Sequence, residues 1–229
     1  MPAPSSRILL VNGNASQIVT DRLAGLARRF APHVTFLPVT PAFGPPYVST
    51  PVEVAISAHA VITAIDRAVE ELGGAVDGCI IACFGEPGLA AARHQFKFPV
   101  VGMAEAAIVT ALQHNGTFGI VTLGEFWPEM LRDLVRQYGV ADRFAGVVRV
   151  PGAPLDLLAD PDGAASAVTV AARALAEQTG AQTIIVGGAA LTGLKLSMEF
   201  RPRLIDCLAA AIAQVLALVC YREMIANLS

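Results

Sequence analysis

Short apolar runs of strand length alternate with longer helical stretches along this chain, and the alternation occurs twice. Arg7–Asn12 (RILLVN) is a short apolar run stopped by an Asn-Gly turn, which predicts a buried strand. A helix over 16–30 follows, with apolar Ile18, Leu23, Leu26 and Phe30 on its periodicity and Ser16 as N-cap. Then come a strand over 34–39, a Pro/Gly-rich loop over 40–51 and a long helix over 52–72. Strands over 78–83 and 99–102 and a helix over 105–115 complete the first round. TFGIVTL at 117–123 opens the second. It continues as a helix over 128–138, a strand over 146–150, an Ala-rich helix over 162–179, a strand over 183–186 and a closing helix over 202–224. DGCIIACFGEPGL, starting at 77, and AQTIIVGGAALTGL, starting at 181, hold equivalent places in the two rounds.

Strands alternating with helices predict an α/β fold with parallel sheets covered on both faces. The repetition predicts two similar lobes related by a pseudo-two-fold, with the active site in the cleft between them. Residues 1–115 plus the C-terminal helix 202–229 form the expected first lobe, and 116–201 the second. Fully covered sheets use continuous apolar strands, which agrees with 54% hydrophobic and 15% charged residues. The mean hydropathy of +0.57 fits a large core, buried subunit contacts in a homo-oligomer, or both.

The same composition excludes other classes. Disorder needs low hydrophobicity and high net charge, and the net charge is -3. No basic stripe points to nucleic acid. Cysteines at 79, 83, 207 and 220 are too few and too unevenly spaced for a disulfide framework or a zinc site. The longest apolar run, 208–221, is shorter than the roughly 20 residues that span a bilayer. The N-terminus lacks the apolar stretch of a signal peptide. The expectation is a soluble cytoplasmic protein with reduced thiols, no membrane, no metal and no bound cofactor.

Ligands of such sheets bind outside the carboxyl ends of the strands, so the turns after residues 11, 82, 121 and 186 are the places to look. Asn12-Gly13-Asn14-Ala15-Ser16 suits carboxylate capture by N–H groups and amides; equally, it is an ordinary Asn-Gly turn with an N-cap. It is no dinucleotide fingerprint. Cys83 ends its strand before Phe84-Gly85-Glu86-Pro87-Gly88, where helix-terminal N–H groups can stabilise a thiolate. Cys79, Cys207 and Cys220 read as core. Thr122 ends FGIVT with a hydroxyl that can donate to a substrate oxygen. The run Gly187–Leu191 is small enough for close backbone approach to an anion, yet holds no base. His33, His59 and His114 lie off these turns, and His94 is a weak candidate beside one of them.

Taken together, these turns resemble the Asp/Glu/hydantoin racemase superfamily, from about Arg7 to Ala210. DGCIIACFGEPGLAAAR over 77–93 looks like the first-cysteine motif of hydantoin and allantoin racemases. VNGNAS, GPPYVSTPVE, VVGMAEAA and FGIVT resemble further stretches of the family. The resemblance implies cofactor-independent chemistry at a carbon next to a carbonyl. Two thiols act there, one taking the proton and the other returning one on the opposite face, while fixed donors hold the enolate oxygen. It implies Cys83 as one thiol. It also implies that Asn14, Thr122 and the backbone around Phe84, Gly85, Gly188 and Ala189 bind a small carbonyl or carboxylate substrate. The loop would shape the side-chain pocket, lined by Phe43, Tyr47 and Phe126 or Trp127; equally, these aromatics are interface or core residues.

One departure stands out. Where the family has a second cysteine, this chain has Gly188 within GGAAL, with Thr192 the nearest hydroxyl and no acid, base or thiol adjacent in sequence. One thiol without its partner is similar in logic to the arylmalonate decarboxylases, in mirror arrangement, since those keep the second cysteine and carry glycine at the first. A decarboxylase of a malonate-type acid and a non-catalytic ligand-binding relative therefore stand beside the racemase reading.

Overall fold

A computed structural model describes residues 6–152, 159–196 and 202–228. The chain forms two compact units, one of residues 1–103 with 209–229, the other of 104–208.

In the first unit, β1 (Arg7–Asn12), β2 (Thr35–Val39), β3 (Gly78–Ala82) and β4 (Val100–Gly102) form one parallel sheet in the order β2-β1-β3-β4. Helices α1 (Gln17–Phe30), α2 (Pro51–Glu71) and α3 (Leu89–Gln95) make the connections. Alternate side chains of the central strands go to opposite faces, as strand geometry requires. Leu9, Val11, Cys79 and Ile81 pack against Val61, Ile65, Leu89 and Ala92 of α2 and α3. On the opposite face Gly78 lets the C-terminal helix come close: a Cβ there would lie 2.8 Å from Val215 and 3.2 Å from Val219. The α2 helix begins at a capping box, where the Thr50 hydroxyl accepts from the Glu53 N–H and the Glu53 carboxylate accepts from the Thr50 N–H.

In the second unit, β5 (Phe118–Thr122), β6 (Phe144–Arg149), β7 (Thr183–Val186) and β8 (Arg203–Asp206) form a second parallel sheet in the order β6-β5-β7-β8. The order matches the first sheet, strand for strand. Helices α4 (Met103–Leu112), α5 (Trp127–Gln137) and α6 (Pro161–Thr179) belong here, apart from Met103 itself. The core joins Val121, Ile184 and Val186 to Val168, Ala172 and Leu175 of α6. Leu175 lies so close to β5 that a Cβ on Gly119 would sit 2.7 Å from it.

The repeat and the two parallel sheets expected from sequence are present. The closing helix needs correcting. It does not begin at 202: Arg203–Asp206 is β8, paired in parallel with β7 from Thr183↔Arg203 to Val186↔Asp206, and α7 runs over Cys207–Ala226. This helix is 20 residues long and apolar enough to cross a membrane by length and composition, longer than the apolar run suggested. One face of it is buried in the protein, through Val215 and Val219 among others. The compact units divide after 103 and 208, because β8 completes the second sheet and most of α4 packs in that unit.

Candidate functional site

In the first unit the parallel register Asn12↔Ala82 brings the turns after β1 and β3 side by side. Gly13 therefore faces Cys83. A Cβ on Gly13 would overlap the Cys83 Cβ and stand 2.8 Å from its Sγ, so the thiol occupies the space that glycine leaves. The Cys83 sulfur accepts from the Gly85 and Glu86 N–H groups. Burial pushes its pKa up to about 11, and the Glu86 carboxylate acts in the same direction; the two N–H groups oppose both. At neutral pH Cys83 is a thiol with donors already placed for its thiolate.

Asn12 and Asn14 divide the work of the first turn. Asn12 is spent on structure: its Nδ2 donates to Asn14 Oδ1 (2.9 Å), Ser16 O (3.0 Å) and Thr20 Oγ1 (3.1 Å). Asn14 Oδ1 also accepts the Ser16 N–H at 2.9 Å, which fixes the orientation of the amide. Its Nδ2 makes no hydrogen bond among the described residues and is the turn's free donor. Ser16 sits at the N-cap of α1, but its side chain makes no capping bond. The Ala15 N–H donates to Pro45 O at 3.0 Å, tying the turn to the Pro-rich loop. Tyr47 of that loop is partly buried, and burial first, then the Cys83 sulfur, push its phenol pKa up. Phe84 is buried and Gly85 half-buried beside the thiol.

Two residues of these turns, not singled out as candidates from sequence, shape the surroundings of the thiol. Gly13 is one. The other is Glu86, only 6% exposed and held at φ 50°, a left-handed conformation uncommon for a residue with a side chain. A Cβ on Gly102 would overlap its carboxylate. A charged residue inside a Gly/Pro turn next to a reactive thiol was the available signal. Cys79 is fully buried, and burial raises its pKa; it is core. His33, His59 and His94 are exposed, with the His59 ring edge-on to Phe43 at 5.1 Å.

In the second unit Thr122 ends β5, 2% exposed, and its hydroxyl has no hydrogen-bond partner among the described residues. The turn after β7 differs from its counterpart. Gly188 has φ 130°, a backbone region open to glycine, and nothing lies within 4 Å of the place its Cβ would take. Its carbonyl accepts from the Leu191 and Thr192 N–H groups at 2.9 and 3.2 Å. Ala189 is half-buried in the same turn.

The finding that no acid, base or thiol adjoins this run in sequence does not carry over to space. Pairing of β8 beside β7 brings Asp206 and Cys207 to it. Thr192 Oγ1 donates to Asp206 Oδ1 at 2.5 Å, and the Gly193 N–H donates to Asp206 Oδ2 at 2.7 Å. The Cys207 sulfur accepts from the Gly188 N–H. Cys207 is fully buried at the first turn of α7. Burial, then the Asp206 charge, holds its pKa well above the usual thiol value, against the N–H groups of Gly188, Cys207 and Leu208. Among the described residues no three His, Cys, Asp or Glu side chains form a group fit to hold a metal.

Comparison with known proteins bears on the chain as a whole. The profile of the Asp/Glu/hydantoin racemase family matches residues 8–215. A hydantoin racemase of Paenarthrobacter aurescens is 32% identical over 229 residues, covering 96% of this chain and 95% of that protein. The structure of an allantoin racemase from Klebsiella pneumoniae superposes with a TM-score of 0.87 at 34% identity, over 95% of this chain and 89% of that one. A glycine-to-cysteine mutant of arylmalonate decarboxylase shares the fold, with a TM-score of 0.68 at 13% identity over 93% of each chain.

Proposed function

Because the chain belongs to the Asp/Glu/hydantoin racemase family, we propose that it racemises or epimerises a hydantoin-like or amino-acid-derived substrate at the carbon next to a carbonyl, with Cys83 as an acid/base thiol. The observation that carries this reading is the Cys83 turn. The sulfur sits at a strand end, receives two backbone N–H groups and is fitted into the space left by Gly13. Proton removal at such a carbon leaves charge on the carbonyl oxygen, and fixed donors lower that cost. In the first unit the Asn14 Nδ2, and in the second the Thr122 hydroxyl, are donors of the kind required. No bound cofactor enters the scheme: the carbonyl itself takes up the electron pair.

The test is to incubate the protein in D₂O with L- and D-hydantoins, allantoin and phenylmalonate and to follow the α-proton by NMR. Exchange with inversion is expected from one of the first three. Cys83→Ser should abolish it, since a hydroxyl has too high a pKa to replace the thiol. Exchange that survives the substitution would remove Cys83 from the site.

Gly188 favours a second reading, a decarboxylase of a malonate-type acid in which loss of CO₂ forms the carbanion and Cys83 alone returns a proton. CO₂ release from phenylmalonate supports that reading, and its absence ends it. Binding without turnover, seen as a thermal shift on adding these compounds with no spectral change, marks a non-catalytic relative.

A further inference from the structure

The turn that holds Cys83 contains two unfavourable features that a simpler residue would avoid, and both belong to Glu86. Among the described residues Glu86 is the one non-glycine with a positive φ, 50°. Glycine adopts that region freely, and Gly85 and Gly88 stand within two residues of it in the same turn. A strained backbone of this kind is an outlier that points to a role. The second feature is electrostatic. The side chain is carried inward, leaving the residue 6% exposed, and taking a carboxylate out of water is unfavourable. Room for it exists because β4 ends in glycine: a Cβ on Gly102 would overlap the carboxylate. Register brings that glycine there, since Gly102 pairs with Ile81, two residues before Cys83.

Both features bear on the sulfur. The Glu86 N–H donates to Cys83 Sγ, beside the Gly85 N–H, and reaches the Cys83 carbonyl at 3.1 Å as well. The Glu86 charge acts on the same sulfur. We propose that Glu86 is the positioning residue of Cys83: its left-handed backbone turns an N–H to the sulfur, and its buried carboxylate opposes negative charge there, so that the thiolate is held in place yet remains a strong base. The inference rests on the racemase reading above for what the sulfur does, and on the turn itself for how Glu86 acts. The other titratable group acting with Cys83 is the Tyr47 phenol, from the loop between β2 and α2. The turn after β1 presents Asn12, Gly13 and Asn14, which carry no charge. On α2, Ala58 and Ile62 meet the turn at Gly88, while the Glu53 carboxylate is taken up by the Ser49 and Thr50 N–H groups. On α3, Leu89 and Ala92 pack inward, and Arg93 Nε donates to Val100 O at 2.9 Å.

The arrangement matters because a proton next to a carbonyl is weakly acidic. Two N–H groups alone would lower the proton affinity of the sulfur and leave a thiolate that takes such a proton slowly. A buried carboxylate restores that affinity. The balance raises the pH at which thiolate forms and strengthens the base once it has formed. In the proton step the Cys83 thiolate gains the α-proton and becomes a thiol, the C–H electron pair moves onto the carbonyl oxygen, and Glu86 neither gains nor loses a proton.

Two measurements decide the matter. First, alkylation of Cys83 by iodoacetamide is followed across pH by mass spectrometry in the parent and in Glu86→Gln, with thermal melts confirming the fold. The amide keeps the shape and removes the charge, so the midpoint of alkylation should fall by at least ~0.5 pH unit. A side chain with a packing role alone would move the melting temperature and leave the midpoint in place. A midpoint that falls by less, or rises, overturns the proposal. If Glu86→Gln does not fold, Glu86→Gly, which suits the φ of 50°, is read in its place by the same criterion. Second, α-proton exchange with the hydantoins in D₂O is measured over the same pH range. In Glu86→Gln its rising limb should move to lower pH and its plateau at high pH should fall by at least ~2-fold, because the less basic thiolate is the slower base. A limb that stays with the parent's also overturns the proposal. The first measurement needs no substrate, so it judges Glu86 even where every tested substrate fails, a failure that falls on the racemase reading instead.

Discussion

The turns after β3 and β7 occupy equivalent places in two sheets of the same strand order, yet they handle space in opposite ways. After β3 the residue following the turn's strand is a cysteine, and the neighbouring turn gives way to it: Gly13 has no room for a Cβ. After β7 the corresponding place is a glycine with open space at its Cβ position but a backbone that only glycine adopts readily. One glycine is required by a neighbour and the other by its own φ. The lesson is that a duplicated fold keeps its strand order while equivalent turns fill their space in different ways.

The largest effect that would test this contrast is chemical. Cys83→Ser should lower α-proton exchange by ~10²–10⁴-fold, the range expected for loss of an acid/base group, with little change in melting temperature. If exchange fell only a few-fold, the two turns would not differ in the way described, and the first would hold a merely buried cysteine.

Next come the two glycines. Gly13→Ala forces its methyl into Cys83 and should cost about 1–3 kcal/mol as overpacking, together with most of the activity, because Cys83 must shift. Gly188→Ala meets no atom and should cost about 1–3 kcal/mol through backbone strain alone. A second substitution separates the causes. Cys83→Ala should relieve part of the Gly13→Ala penalty, whereas it should add independently to Gly188→Ala. Urea unfolding of the single and double variants measures both couplings. Equal additivity in the two cases would erase the distinction between a steric and a conformational glycine.

How much of this was open to sequence reading follows from what each feature depends on. The repeat, the parallel sheets and the Cys83 turn depend on local patterns: RILLVN and FGIVT are apolar runs of strand length, and CFGEPG is a thiol followed by turn residues. Glu86, Gly13 and Cys207 depend on register between strands. Gly13 meets Cys83 only because Asn12 pairs with Ala82. Cys207 meets Gly188 only because RLID at 203–206 is a strand, and four residues of which only Ile205 is buried, running straight into a long apolar helix, read more easily as that helix's first turn. A strand this short, with Arg203 exposed and Asp206 spent on Thr192 and Gly193, carries too weak an alternation to announce itself.

A smaller effect is expected from pH. The folded pKa of Cys83, about 11, lies above the ordinary thiol value of 9.0, so the folded state holds a proton that the unfolded chain releases first. The contribution of this thiol to stability is therefore complete below pH 9 and is lost as pH rises towards 11. Iodoacetamide reacts with thiolate, so alkylation of Cys83 should keep rising through pH 9 instead of levelling there. Glu86→Gln removes the neighbouring charge that raises the pKa and should move the profile to lower pH. A plateau at or below pH 9 in the parent would show that the two N–H groups outweigh burial.

The smallest effect sharpens the second turn. Thr192 is fully buried, and its hydroxyl donates to Asp206, which also accepts the Gly193 and Leu208 N–H groups. Thr192→Val keeps the shape and deletes that donor. Asp206 retains two backbone partners, so the loss should be about 1.5–3 kcal/mol, the range of a hydrogen bond to a charged group rather than of a stranded carboxylate. Asp206→Asn in the same background tells whether the charge acts on the sulfur: with the carboxylate gone, the Cys207 pKa should fall towards the ordinary thiol value. Chemical denaturation gives the energies, and iodoacetamide labelling of Cys207 in the folded double variant gives the second sign, since a carboxylate beside the thiol slows its ionisation. Labelling unchanged by Asp206→Asn would mean that Asp206 organises the turn without acting on the sulfur.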